Sequence, residues 1–258
     1  MVADSGPIFD LSGRAAVITG GSRGIGAAIA RGFAGAGARV VVAARDSERL
    51  NLVAEEIQGH GGVAVPIVAD VTRSEDLTRL ASEAHAALGP IDILVNNAGG
   101  SPIYRRAEAV TDAEWDAILS LNLRGTFVAC REFGRGMLER RSGRIINLIS
   151  IGARVGLPRL APYNAAKAGV EALTRTLAIE WADRGVLVNA VAPGFVETDL
   201  TAGMRGNERI RAQLLEQTPL NRFARVDDIV GAAIFLASPA SAYLTGQTIY
   251  VDGGWTAR

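Results

Sequence analysis

The chain has 258 residues, 48% of them apolar and 21% charged, and its 27 basic and 27 acidic side chains leave a formal net charge of +0. That balance fits a water-soluble globular protein and excludes the basic footprint of a nucleic-acid binder. No run approaches the ~18 uninterrupted apolar residues of a membrane span. The single cysteine, Cys130, excludes an internal disulfide, and no Cys/His cluster has metal-ligand spacing.

Residues 1–13 carry Asp4, Pro7 and Asp10 without a basic start or an apolar stretch, so no secretory leader is expected and the cytoplasm is the expected location. Short β-branched runs then alternate with helical patterns. Ala15–Thr19 reads as a strand, 24–36 as a helix, 39–43 as a strand and 47–58 as a helix. Strand 63–69 precedes a helix over Ser74–Leu88, and strand 92–96 precedes one long helix over 112–138. Strand 144–150 leads through a loop to a helix over 162–182. Strand 186–191 precedes an irregular stretch, helices over Glu208–Glu216 and 226–236, and a last strand, Thr248–Val251. The strands read as apolar throughout, as expected when helices cover both sheet faces. The alternation predicts one doubly wound, Rossmann-type α/β domain over 1–258: a parallel sheet of about seven strands with helices on both faces. A substrate loop and small helices are expected over about 194–220. In such sheets ligands bind beyond the carboxyl ends of the strands.

The residues after each strand carry the chemistry. Thr19-Gly20-Gly21-Ser22-Arg23-Gly24-Ile25-Gly26 joins the first strand to the first helix. Glycines let the backbone approach a pyrophosphate, and the helix start offers free N–H groups and the positive dipole end. A tight turn that merely packs is the alternative for the string alone; its place between strand and helix favours a dinucleotide. The second strand ends in Arg45 rather than a carboxylate, with Asp46 one residue later. With Arg23 as a second arm, this predicts a 2′-phosphate clamp and NADP(H) in preference to NAD(H); a solvated Arg45 at a helix start is the alternative. Asp70-Val71 suits the adenine amino group, and Asn97-Ala98-Gly99 brings small side chains and backbone against the nucleoside.

Ser150 ends the fifth strand, and Tyr163 and Lys167 stand four residues apart on the next helix, on one face. An ammonium nearby favours phenolate, so Lys167 is expected to draw Tyr163 towards neutral pH for acid/base work. Tyr-x-x-x-Lys is also an ordinary surface pair, but Lys167 is the only lysine among 27 cations, the other 26 being arginine. A site that keeps an ammonium in such a chain is one that a planar guanidinium fits poorly. The two histidines, His60 and His85, lie near no nucleophile motif, which argues against Ser-His-Asp chemistry.

These motifs occur in order as TGGSRGIG, DV, NNAG, Asn122 within LNLRG, Ser150, YNAAK and PGFVET, spanning residues 19–198. In this the chain resembles the short-chain dehydrogenase/reductase family over nearly its whole length. The resemblance implies a catalytic tetrad of Asn122, Ser150, Tyr163 and Lys167, with Asn122 holding a helix kink and a water that links Lys167 to a proton relay. It implies that Pro193, Gly194, Val196 and Thr198 belong to the stretch that holds the nicotinamide carboxamide. Hydride then passes between the nicotinamide and a carbonyl or alcohol carbon, with Tyr163 giving or taking the proton. The substrate is expected to be a small molecule and the assembly a homotetramer, or else a homodimer, with helices 112–138 and 162–182 pairing across one interface. PGFVETDLT with Arg141 and Arg184 resembles 3-oxoacyl-acyl-carrier-protein reductases, where such arginines face the carrier. FDLSGR and the tail after VDGG resemble gluconate-type polyol dehydrogenases. A 3-oxoacyl thioester is the main substrate expectation, with a polyol or sugar acid, or another secondary alcohol such as a steroid, terpene or xenobiotic, as the alternatives. A non-catalytic dinucleotide-binding scaffold is the reading from another class, which a degraded tetrad would have supported.

Overall fold

A computed structural model of the chain describes residues 8–257. Of the segment read for a leader, residues 1–7 lie outside the described residues. Seven strands form one parallel sheet in the order β3-β2-β1-β4-β5-β6-β7. They are β1 (Ala15–Thr19), β2 (Arg39–Ala44), β3 (Val63–Val68), β4 (Ile93–Asn96), β5 (Gly143–Leu148), β6 (Val186–Pro193) and β7 (Thr248–Val251). The chain winds outward from β1 to β3, then crosses back to β4 and winds the other way. That reversal opens a crevice between the carboxyl ends of β1 and β4, where Thr19 pairs with Asn96.

Each strand face meets its own helix layer. Alternate residues Ile18, Val40 and Ile146 pack against α1 (Gly24–Gly35), α2 (Ser47–Gly59) and α9 (Asp227–Ala237). The intervening residues Val17, Val41 and Ile145 pack against α3 (Ser74–Leu88), α5 (Gly125–Glu139) and α6 (Ala161–Trp181). Central strands are therefore buried on both faces, β1 at every position. The edges depart from the expectation of uniformly buried strands. β3 is only partly buried, leaving Val63 and Val68 almost half exposed, and it carries Pro66, which an edge strand tolerates because one row of its N–H groups has no partner strand. β7, at the other edge, is only half-buried.

The long helix expected over 112–138 is interrupted. α4 (Asp112–Leu119), started by a Thr111/Glu114 capping box, passes into one wide π turn over Ser120–Arg124 before α5. The Gly125 N–H reaches back to the Ser120 carbonyl, five residues away. Asn122 causes the slip. Its side-chain amide takes the Ile118 carbonyl at 2.9 Å, the acceptor that its own backbone N–H would use in an α-helix. β6 also runs two residues past its expected end, pairing Pro193 with Val251. Beyond it, residues 199–216 form short helical turns, including α7 (Ala202–Gly206) and α8 (Glu208–Glu216).

Candidate active site

The turn after β1 is held open by its own packing. Asn97 donates from its side chain to the Thr19 and Gly20 carbonyls, both at 3.0 Å. The Thr19 hydroxyl receives the N–H groups of Asn97 and Ala98 at 3.1 and 3.2 Å. A Cβ on Gly26 would sit 2.3 Å from Asn97 Nδ2 and 2.3 Å from the Gly20 oxygen, so nothing larger than glycine fits. α1 then begins with no side-chain cap and no acidic residue in its first turn. Its N–H groups and dipole face the crevice uncompensated, and Ser22 and Arg23 stand at its lip. This glycine-lined, uncapped helix start fits the pyrophosphate of a dinucleotide. Ile25 turns its side chain into the core and offers only backbone.

The second strand tip carries an arginine where a carboxylate would meet a free ribose. Asp46, the next residue, is occupied as the cap of α2, accepting the Arg49 N–H at 3.1 Å. Arg45 lies exposed, with Nη1 3.8 Å from Asp70. Asp70 also receives the Thr72 N–H and hydroxyl, which orient its carboxylate at the end of β3. Val71 packs below against the core. Arg23 is not paired with Arg45 as a clamp: its guanidinium donates to Asp199 at 2.8 Å, from the loop across the crevice. Arg49 approaches the same carboxylate at 3.8 Å. The sequence reading passed over Arg49, although Arg45-x-x-x-Arg49 at a helix start was a signal for it.

The four residues of the expected tetrad converge. Asn122, fully buried, exchanges two 2.9 Å hydrogen bonds with Gly100, fastening the π turn to the loop after β4. Gly99 fills the remaining gap: a Cβ there would sit 2.7 Å from Asn122 Oδ1 and 3.1 Å from Lys167 Nζ. Lys167 is buried on α6, and its ammonium donates to the Leu148 carbonyl at 2.8 Å and lies 5.7 Å from the centre of the Tyr163 ring. Ser150 accepts the Gly152 N–H at 3.1 Å, which leaves its proton free to point at Tyr163. Pro162 stands in the first turn of α6, where its missing N–H costs nothing, and fixes the entry of the helix that carries Tyr163 and Lys167.

One electrostatic expectation is reversed. Among the chain's own groups, burial pushes the Tyr163 phenol up, and the opposing pull comes from the Ser150 hydroxyl hydrogen-bonded to it. Burial meanwhile pulls the Lys167 ammonium down to about 8. Lys167 lies 5.7 Å from the ring centre and adds no pull of its own on the phenol. Tyr163 stands as a protonated acid beside an ammonium whose charge is easily lost.

Gly194 donates its N–H to the Val251 carbonyl at 3.0 Å, continuing the line of β6 from Pro193. Val196, like Ile25, turns its side chain into the core and leaves only backbone for a cofactor, and its carbonyl receives the Thr201 hydroxyl. Thr198 instead leans over the glycine turn, its methyl 3.5 Å from where a Gly24 Cβ would sit. A cavity of about 360 Å³ opens between Tyr163, Ser150 and this loop. Arg141 and Arg184 precede β5 and β6, at the amino ends of the strands and thus the opposite sheet edge from this cavity. Cys130 is buried under Asn96, with its thiol pushed up to about 12, and takes no part. Sequence reading also missed the polar ladder beneath the site, in which Asn96 donates to Asn147 and Asn147 to Thr174, each at 2.9 Å.

A family model described as enoyl-(acyl carrier protein) reductase matches residues 20–256. The galactitol 2-dehydrogenase (L-tagatose-forming) of Cereibacter sphaeroides is 44% identical over 251 residues, 96% of this chain and 97% of that protein. The 3-oxoacyl-[acyl-carrier-protein] reductase of Synechocystis sp. (strain ATCC 27184 / PCC 6803 / Kazusa) is 41% identical over 248 residues, 95% of this chain and 97% of that one. The solved structure of a gluconate 5-dehydrogenase from Burkholderia cenocepacia J2315 in complex with NADP and tartrate superposes with a TM-score of 0.94 at 39% identity, covering 97% of this chain and 98% of that one. With seven parallel strands in this order and relatives of this similarity over its whole length, the chain belongs to the short-chain dehydrogenase/reductase family, as an oxidoreductase acting between alcohols and carbonyls.

Proposed function

We propose that the chain interconverts a ketone and a secondary alcohol with NADP(H) in preference to NAD(H), and that Tyr163 is the proton donor in reduction. The observation that carries this reading is the convergence of Tyr163 and Ser150 at the cavity with Lys167 and Asn122 buried behind them. A bound nicotinamide supplies the hydride in reduction and accepts it in oxidation. Ser150 and Tyr163 hold the substrate oxygen, and Tyr163 releases its proton to that oxygen as the carbon is reduced. Lys167 stabilises the phenolate left behind, and Asn122 fixes the π turn that sets the floor of the site. Gly20, Ser22, Gly24, Ile25 and Gly26 offer backbone to the pyrophosphate, with Asn97, Ala98 and Gly99 beside the nucleoside and Asp70 and Val71 near the base. Pro193, Gly194 and Thr198 border the nicotinamide end.

The preference for NADP(H) rests on Arg45, Arg23 and Arg49 around a strand tip that ends in arginine rather than a carboxylate, with Asp46 spent on a helix cap and Asp70 and Asp199 paired to these arginines. The NADP complex of the Burkholderia relative supports it. Within one catalytic domain, residues 194–220 serve as the substrate loop. The exposed Trp115, Phe127 and Ile179 on α4, α5 and α6 support a homotetramer built on these helices. Among the described residues no helix is long and apolar enough to cross a membrane, and a cytoplasmic site of action suits this cofactor. The 3-oxoacyl thioester reading draws on the Synechocystis relative and on PGFVETDLT; the polyol reading draws on the Cereibacter relative. Ketone reduction followed by NADPH absorbance tests the proposal: kcat/KM should be at least tenfold higher with NADPH than with NADH, and equal or better use of NADH would refute the preference.

A further inference from the structure

The cavity at Tyr163 has one reactive end and otherwise apolar walls. Ile151, Leu157 and Leu160 form one side, and Phe195, Leu200 and Met204 from the loop after β6 form the other. Phe195 is itself braced edge-on by Trp255 at 4.9 Å between ring centres and by Phe223 at 6.4 Å, so the loop side is a packed wall. Among the described residues, no acidic, basic or amide side chain lines the cavity.

Of its remaining hydroxyls, two are committed to the protein, while Tyr104 is half exposed. Ser101 donates to the Ile103 carbonyl at 2.8 Å, and Thr201 donates to the Val196 carbonyl at 2.5 Å. Three cations near the mouth are engaged at least in part: Arg159 lies over the Tyr104 ring at 5.4 Å, Arg105 pairs with Glu114 at 3.2 Å, and Arg205 donates from Nη2 to the Thr198 carbonyl at 3.1 Å while its Nε is buried without a partner. Apart from the half-exposed Tyr104, only Ser150 and Tyr163 among the described residues offer free side-chain polar groups to a substrate, and both serve the single oxygen that reacts. A further hydroxyl brought in beyond reach of Tyr104 would lose water without finding a side-chain partner, and a carboxylate would lose more.

We infer that the substrate is a neutral ketone or secondary alcohol on an apolar skeleton, an alicyclic ring or an acyl chain, and that polyols and sugar acids are rejected. This rests on the assignment of Tyr163 and Ser150 as the reacting end. The reaction is the two-electron reduction of C=O to CH–OH, with the hydride from NADPH and the proton from Tyr163, and its reverse. The class departs from galactitol and gluconate, on which relatives of this chain act by name.

The test compares matched substrates with the full chain and NADPH: an alkyl-substituted cyclohexanone, the same ring bearing one and then two hydroxyls, a medium-chain 3-oxoacyl thioester, 5-ketogluconate and tagatose. Each added hydroxyl should lower kcat/KM by about 5- to 150-fold, and the keto acid should be slowest. Hydroxylated ketone, tagatose or 5-ketogluconate matching the alkyl ketone would overturn the inference. If no compound is reduced, the oxidoreductase assignment fails, and calorimetry with the NADP-loaded protein still decides the cavity's preference. Tighter binding of the alkyl ring supports the inference; equal or tighter binding of its hydroxylated partner overturns it.

Discussion

Lys167 shows what a single residue costs and supplies. Its ammonium is buried, and its pKa falls to about 8 from an ordinary 10.5. The depressed value means that charging Lys167 opposes folding. The penalty, roughly 3 kcal/mol, is in full force below pH 8 and fades as pH rises towards 10.5. Lys167→Met should therefore raise stability at pH 7 by about 1–2 kcal/mol, after the lost bond to the Leu148 carbonyl is counted, and abolish most turnover. Urea unfolding of both proteins at pH 7 and pH 10 checks this: the advantage should shrink at the higher pH, and a constant difference would contradict it. Tyr163, pushed up by burial, is protonated at neutral pH, so alcohol oxidation, which needs the phenolate, should quicken with rising pH while reduction does not. Arg45→Ala should raise KM for NADPH about tenfold or more and leave NADH nearly unchanged, which steady-state kinetics would show. The identities of these residues were legible from the sequence because a lone lysine stood out against 26 arginines. Their electrostatics were not, since the pKa of Tyr163 depends on burial and on the Ser150 hydroxyl beside it.

At the scale of elements, strands β1, β2, β4 and β7 followed from β-branched runs within a residue or so of their bounds. The π turn did not follow from the residue pattern, since Ser-Leu-Asn-Leu-Arg reads as unbroken helix, and only the family resemblance implied a kink at Asn122. What breaks it is tertiary: Asn122 takes Ile118's carbonyl while bridging to Gly100 across the crevice. Asn122→Ala should cost about 2 kcal/mol in urea unfolding and lower kcat more than it raises KM. A variant with wild-type kcat would remove Asn122 from the site's framework. Gly99→Ala, whose methyl would press on Asn122 and Lys167, should lower kcat with little loss of fold, as circular dichroism can confirm.

For the whole molecule, alternation of strand and helix made the doubly wound sheet legible, and the topological reversal at β1/β4 placed the crevice where the motifs lie. The shape and lining of the cavity were not legible, because its walls come from residues around 101–104, 150–163 and 194–210, joined only by folding. The exposed Trp115, Phe127 and Ile179 carry a further expectation. Light scattering should give four times the 27.0 kDa chain mass, and Phe127→Arg should reduce it. A wild-type monomer would contradict the assembly.

The role of Tyr163 as proton donor is tested most directly by Tyr163→Phe. Purified protein carrying this change should bind NADPH with wild-type affinity in a fluorescence titration. It should reduce a ketone at least a thousandfold more slowly, as expected when a positioned acid is removed from a buried site. Turnover within tenfold of wild type would contradict the account.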